Sequence, residues 1–596
     1  MRHSHARTVA SSILSPRPLA RPLARPLPML LLALLLALCA CARPQPLRLE
    51  LAHLNDTHSN LEPVDERLVL QVDGQPQAVR AKIGGMARLK TALDAARSQT
   101  PGLVLLHAGD AVQGTLYFNV FHGRPEFELL NALGVDAMCL GNHEFDKGPQ
   151  ALGRMLALAR FPVLAANVDA SKEPALAGRW RPYAILRVPT KGGTEPVGVI
   201  GATTPTTPRI TADVGRVRFS DPAPAIRRAV AELSSQGVNK IVLLSHNGYE
   251  DDLRLAKSVA GLDVVIGGHS HTLLGDRRAL AALGLSPAGP YPTVVSGPDG
   301  GATLVAQAWK WGEVLGRLSV DFDAQGRITG HSAAPALVMD KAFSQDGRPV
   351  DPASAQGAAL AAAARASGAA AFPAEDPAML TALAPYTQRI KAFQNAPVGA
   401  TLSQDLVRGA ASDPGPLVAD SCLAAVPEAD IALMNQGGLR RDLPAGPVTQ
   451  GQVMGLLPFA NTLVVLEVSG QQLKDALEDA LASQIAARHG EALRPPHPAG
   501  FTYAVDAARP KGRRITALAR MTPGGGSAPI LPGDALRLVT ISFLAGGGDG
   551  MDTLRKIGDR TDTGTVDSDA FAAHLARLGA SGPVAPPAGP RVSLAR

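Results

Sequence analysis

The chain has 596 residues, 46% of them hydrophobic and 18% charged. That exceeds a single hydrophobic core and implies two to four domains of about 100–200 residues each. The formal net charge is +6, but residues 1–40 hold five arginines and no acid, leaving about +1 for the remainder and no polybasic footprint for a nucleic-acid polymer. Of the four cysteines, Cys39 and Cys41 belong to the leader and only Cys139 and Cys422 lie further on, which excludes a disulfide framework.

The leader reads as a targeting signal. Arginines at 2, 7, 17, 21 and 25 precede MLLLALLLALCAC (29–41), an apolar run too short to stay as a membrane-spanning helix. Its end, Leu38-Cys39-Ala40-Cys41, resembles a bacterial lipobox. The resemblance implies a signal peptide over 1–40, a lipid anchor to the bacterial membrane at Cys41, a tether over 41–46 and a periplasmic location. Cys39 is the poorer acceptor because bulky Leu38 precedes it, and Met29 is an alternative start. A plain cleaved signal peptide is the alternative to lipidation.

From residue 47 to about 340, short apolar runs alternate with helical stretches at 84–99, 127–134, 148–160 and 223–237, the pattern of a layered α/β domain. Five of the runs (LELAHL, LVLLHA, AMCL, IVLL and LDVVI) each lead into a polar island: NDTH (55–58), AGD (108–110), LGNHEFD (140–146), LSHNG (244–248) and GGHSH (267–271). Polar residues placed where strands end stand in the usual position for chemistry in α/β folds. His53 and His107, inside apolar runs, read as structural, and Cys139 as a small buried hydrophobe. The later strands, from TVVSGP through DFDAQGRIT, are expected to complete a second sheet.

The islands bring seven oxygen and imidazole donors: Asp56, His58, Asp110, Asn142, His246, His269 and His271. One catalytic metal takes about three protein ligands, so seven suggest two divalent ions. Asp110 is the natural bridge, because a carboxylate offers two oxygens to metals roughly 3.5–4 Å apart. A ligand set without thiolate suits Mn, Zn, Co or Fe.

The order D-x-H, GD, GNHE, H, GHxH resembles the calcineurin-like metallophosphoesterases. That resemblance assigns Asp56, His58, Asp110 and His271 to one metal and Asp110, Asn142, His246 and His269 to the other. It makes His143 a catalytic histidine and Asp146 its orienting partner, which would favour the imidazolium. It implies a four-layer catalytic domain over 47–340, two packed sheets flanked by helices.

Residues 341–395 are alanine-rich, broken by Gly and Pro between 368 and 377. They read as a linker ending in a helix over 377–393, with a solvated, partly disordered insertion over 351–375 as the alternative. A second α/β domain is expected over 396–578 and a Pro-rich tail without a packed role over 579–596. Within the second domain stand NQGGLR (435–440), PFAN (458–461) and FLAGGGDG (543–550), which resemble motifs of the secreted bacterial 5'-nucleotidases, UDP-sugar hydrolases and ecto-5'-nucleotidase. Physically, Phe459 and Phe543 can sandwich a base, Asn461 can bond its edge, Asp549 can accept from ribose hydroxyls, and Arg408 and Arg440 can fork onto phosphate. Gln436 and Gln404 depart from the family pattern, while Arg441 and KGRR (511–514) read as solvated surface.

The expected activity is dimetal hydrolysis of extracytoplasmic nucleotides, with hinge rotation between the domains implied by the resemblance. The rivals are a 2',3'-cyclic-nucleotide phosphodiesterase with 3'-nucleotidase activity, a thiosulfohydrolase and a non-catalytic nucleotide-binding lipoprotein. Metal identity, the preferred nucleotide and oligomeric state are open at this stage.

Overall fold

The computed structural model describes residues 45–190, 193–211, 214–459, 461–487, 493–522, 526–587 and 589–595. The expected signal peptide, with Met29, Cys39 and the lipidation candidate Cys41, lies outside the described residues. Among the described residues no helix is long and apolar enough to cross a membrane.

Two sheets build the first domain. The larger runs in the order Val64–Val72, Gln75–Ile83, Ala336–Gln345, Val314–Phe322, Leu47–Leu54, Val104–His107, Ala137–Cys139, Val163–Leu164. The other runs Thr293–Ser296, Ala302–Gln307, Val264–Gly267, Ile241–His246, Gly193–Thr203, Tyr183–Thr190. Each contains a parallel block, and parallel strands covered on both faces read as unbroken apolar runs. In Ile241–His246, for example, Val242 and Leu244 join the core between the sheets. Ile241 and Leu243 join the core beneath helices Pro222–Ser235 and Tyr249–Ser258. The other face of the larger sheet is covered by Met86–Gln99, Arg124–Leu133 and Gly148–Leu156. Helix, sheet, sheet, helix is the four-layer α/β arrangement that the resemblance implies.

Helix Pro377–Asn395, capped by Asp376 Oδ1 accepting from the N–H of Met379 at 2.7 Å, buries Met379, Leu383 and Ile390 in the first-domain core. The second domain follows, a five-stranded sheet in the order His497–Ala499, Ile431–Met434, Ala535–Ile541, Thr462–Ser469, Arg560–Val566. Its own core takes Leu417 and Cys422 from helix Gly415–Ala425 and Leu473 and Leu477 from helix Gly470–Ala487.

Three segments differ from expectation. Val314–Phe322 pairs antiparallel with Leu47–Leu54 and so extends the first sheet, not the second; alternation records which faces are buried and is silent on the partner strand. Residues 341–371, expected as linker, belong to the first domain. Strand Ala336–Gln345 runs across 340, and helix Ala355–Ala366 packs Leu360 and Ala364 against Leu68, Leu70 and Leu337. Its alanines let the helix sit close to the sheet. The tail is packed too: Val592–Leu594 runs parallel to Phe501–Val505, Val584 is buried, and Arg591 forks onto Asp420 at 2.7 and 2.8 Å.

Removing one side of a fork strands the other, so Arg591→Ala should cost about 1–3 kcal/mol. Scanning calorimetry should show this as a thermal midpoint lowered by a few degrees, with metal binding in the first domain unchanged.

Candidate functional site

All five islands meet at the carboxyl ends of the two parallel blocks. Leu47–Leu54 delivers Asp56 and His58, Val104–His107 delivers Asp110, and Ala137–Cys139 delivers Asn142. From the facing sheet, Ile241–His246 ends on His246 and Val264–Gly267 leads to His269 and His271. The backbones touch where they converge. A Cβ on Gly141 would lie 2.1 Å from Asp110 Oδ1, and one on Gly268 would lie 2.5 Å from the Ala108 carbonyl oxygen, so both positions require glycine. Asp56, His58, Asp110, His269 and His271 have φ between 47° and 73°. Left-handed conformations at that density mark a functional site, because side chains other than glycine take them at an energetic cost.

Three overlapping groups could hold metal: Asp56 with His58 and His271, Asp110 with His246 and His269, and His58 with Asp110 and His143; the first two hold six of the seven donors. Asp110 Oδ2 faces both, lying 3.0 Å from His246 Nε2 and 3.8 Å from His58 Nε2. Its Oδ1 instead accepts the backbone N–H of His143 at 2.9 Å. Asn142 Oδ1 lies 2.9 Å from His269 Nδ1, and His271 Nε2 lies 3.4 Å from Asp56 Oδ1.

Local hydrogen bonds select the ring nitrogens. His246 Nδ1 lies 2.7 Å from the Ala108 carbonyl and His58 Nδ1 lies 3.2 Å from the Gln113 carbonyl. A carbonyl only accepts, so Nδ1 carries the proton and Nε2 is the ligating atom on each ring. Burial pushes His58 down to about 4, whereas the Asp110 carboxylate outweighs burial at His246 and raises it to about 9, so a metal ligated there has to displace a proton. His58 Nε2 and His271 Nε2 point at one another across 3.0 Å, and the buried His246 Nε2 faces Asp110 Oδ2 at 3.0 Å. Imidazole and carboxylate lone pairs aimed into a common space fit divalent cations of the Mn, Zn, Co and Fe type.

His143 stands beside these donors. Burial alone would lower its pKa; the carboxylates of Asp110 and Asp146 outweigh that and raise it to about 10. Asp146 Oδ2 accepts from Nδ1 at 2.6 Å, which turns Nε2 toward the cavity side.

A cavity of about 560 Å³ lies over this centre, lined by His58, Asp110, Asn142, His143, His269 and His271 together with Trp311, Pro458 and Phe459. Phe459 thus reaches the metal donors from the second domain. The other five substrate candidates lie outside the cavity lining. Phe543, 48% exposed, packs its ring where a Cβ on Gly548 would fall 2.4 Å away. Arg440 sets its guanidinium 5.7 Å from the Phe459 ring centroid. Arg408 bonds Asp442 at 3.1 Å, and Asp549 accepts from Asn435 Nδ2 at 2.7 Å. Asn461 directs its amide to Asp567 and accepts from the Ser542 hydroxyl, both at 3.4 Å, joining the two phenylalanine loops. Gln436 turns to His497 at 2.6 Å.

Residues 49–273 match the family model described as calcineurin-like phosphoesterase and 392–556 that of the 5'-nucleotidase C-terminal domain. A probable 5'-nucleotidase of Treponema pallidum (strain Nichols) is 35% identical, covering 87% of this chain and 89% of the relative. The chain belongs to the 5'-nucleotidase family. Among solved structures, a 5'-nucleotidase precursor from Thermus thermophilus is 38% identical with a TM-score of 0.62, covering 92% of this chain and 99% of that one. The NAD nucleotidase of Haemophilus influenzae is 26% identical with a TM-score of 0.68 over the same shares. The protein is accordingly a metal-dependent phosphoric ester hydrolase of the 5'-nucleotidase type, and its family uses two divalent metals.

Sequence reasoning misses one residue of the GNHE island. The Glu144 carboxylate, fully buried, accepts three backbone N–H bonds: from Gly141 at 2.6 Å, Ala111 at 2.8 Å and Asp110 at 3.1 Å. It clamps the loops that carry Asp110 and Asn142. Supporting groups of this kind are typically worth 10–100-fold in metal affinity, so Glu144→Gln should weaken Mn binding by about that factor in titration calorimetry. Wild-type affinity in a folded variant would show the clamp to be dispensable.

Proposed function

We propose that this enzyme releases phosphate from nucleoside 5'-phosphates outside the cytoplasm, with the scissile phosphoryl group over the seven donors and the nucleoside gripped by the second domain. Asp56, His58, Asp110 and His271 would hold one divalent cation and Asp110, Asn142, His246 and His269 the other, with Asp110 common to both sets. When bound, the pair supplies positive charge for the phosphoryl oxygens and acidity for a water molecule. The observation that carries this reading is one cavity lined by the ligand loops and by Phe459.

The chain's own residues then divide the work. His143, kept as the imidazolium by Asp146, donates from Nε2 to a phosphoryl oxygen as charge develops there. Water oxygen bonds phosphorus as the bond to the ribose O5' breaks; one proton of that water stays with the product phosphate and the other ends on O5', which leaves as the nucleoside hydroxyl. Phe459 and Phe543 stack the base, Arg408 and Arg440 offer guanidinium charge to phosphate, and Asp549 accepts from ribose. Asn461 serves by bracing the two phenylalanine loops. Export and a lipid anchor at Cys41 remain part of the proposal on the strength of the leader.

Phosphate release from AMP, UDP-glucose, a dinucleotide and 2',3'-cyclic AMP, measured on metal-stripped protein with Mn, Zn, Co or Mg restored, tests the reading. AMP is expected to be turned over fastest; a faster cyclic substrate selects the phosphodiesterase instead, and no turnover of any nucleotide rejects the proposal. His143→Ala should lower kcat by about 10²–10⁴ with metals retained.

The active form of His143 is protonated, so activity falls as pH rises through its pKa. Asp146→Asn removes a charge that raises that pKa, so the alkaline limb of kcat should move to lower pH by about one unit or more. An unmoved limb would separate Asp146 from the protonation of His143.

A further inference from the structure

Two of the chain's three tryptophans lie in one loop, Trp309-Lys310-Trp311-Gly312-Glu313, between Ala302–Gln307 and Val314–Phe322. Both adopt φ of 56°, a region that bulky side chains rarely enter. Such a conformation persists only where its surroundings over-determine it, and here they do. Asn55 accepts the N–H of Ala308 on Oδ1 and donates from Nδ2 to the Trp309 carbonyl, each at 2.7 Å. Trp311 donates its backbone N–H to the Asp56 carbonyl at 2.7 Å. From the other side, Gly84 approaches so closely that a Cβ there would lie 3.0 Å from the Gly312 carbonyl oxygen. The loop is welded to the island that carries Asp56 and His58.

The indole is held as firmly as the backbone. Lys310 Nζ lies 3.6 Å from the Trp311 ring centroid and 5.0 Å from that of Trp309, and pairs with Glu66 at 3.3 Å. A cation caged between two rings and tied to a carboxylate restrains both rings. Trp311 also lines the cavity that contains His58, His271, Pro458 and Phe459. A half-buried aromatic ring that lines the cavity, strained into place beside a metal-ligand loop, has no role in binding metal.

We propose that Trp311 is a substrate-binding residue, a rigid aromatic wall on the metal domain against which the nucleoside portion packs while its phosphate lies over His58 and His271. The inference rests on the nucleotidase reading above and adds a fixed surface to the phenylalanines of the second domain. Because the ring is already immobilised, little freedom is lost on binding. Stacking tolerates base identity, so the wall would favour nucleoside esters over esters of small alcohols without choosing among bases.

Tryptophan emission reads this directly, since only Trp180, Trp309 and Trp311 contribute. The metal-loaded full chain is titrated with the phosphonate analogue of AMP in which methylene replaces the scissile ester oxygen, with calorimetry in parallel. Quenching is expected in the wild type and in Trp309→Phe, and most of it should vanish in Trp311→Phe, whose affinity stays near wild type because a phenyl ring still stacks. Trp311→Ala should weaken binding about tenfold, raising KM more than it lowers kcat.

Undiminished quenching in Trp311→Phe, or Trp311→Ala binding within about twofold of wild type, would overturn the inference while leaving the nucleotidase reading intact. A wild type that neither binds the analogue nor hydrolyses AMP would overturn both. Should Trp311→Ala fail to fold, the emission of Trp311→Phe alone decides.

Discussion

The structure is organised by an electrostatic problem: carboxylates and imidazoles are buried together with their lone pairs aimed inward. Asp56, Asp110, His58 and His246 are all nearly inaccessible to water. Such a cluster is unfavourable unless matched by opposite charge, and Asp110 Oδ2, facing an imidazole from each group, is where the matching has to occur. Much of the first domain serves to hold this arrangement. Two parallel blocks end together, glycines 141 and 268 let the loops touch, and Glu144 ties three backbone amides beneath Asp110.

The surrounding apolar layers supply what the centre withholds. Strands such as Ile241–His246 split their residues between two cores, so the sheets are clamped from both faces and their ends cannot drift. That rigidity sustains the positive φ values at five of the ligating residues and at both tryptophans of the neighbouring loop. Local strain on this scale is stable only in a scaffold with stabilisation to spare.

The placement of the seven donors was legible in the sequence because it is local: a residue next to a strand end stays next to it after folding, and the seven lie together in the structure. What was not legible depends on distant partners. Alternating burial in Val314–Phe322 could not say that its neighbour would be Leu47–Leu54, more than 250 residues earlier in the chain. Alanine content over 355–366 suggested a linker, whereas small side chains are what permit that helix to sit against the sheet. Glu144 drew no role from the sequence because its partners at 110 and 111 lie 34 and 33 positions away. Gln436, a departure from the family pattern, is occupied by His497 and turned from the ligand side, so the departure has a local structural use.

On the proposed reading the second domain solves a different problem, recognition of an uncharged ring next to a charged phosphate. Phe459 and Phe543 remain about half exposed, an arrangement that would be a liability on an idle surface and is expected of a binding face. Ser542 hydrogen-bonds Asn461 and the backbone of Thr462, which ties the two loops together. The helix Pro377–Asn395 is embedded by Met379, Leu383 and Ile390 in the metal domain. Any rotation of the second domain therefore has to pivot beyond that buried stretch, near the end of the helix, where Gly451 packs against Gln394. On the proposed reading, a pivot there would carry both aromatic loops toward or away from the donors of the first domain and leave the buried stretch of the helix in place.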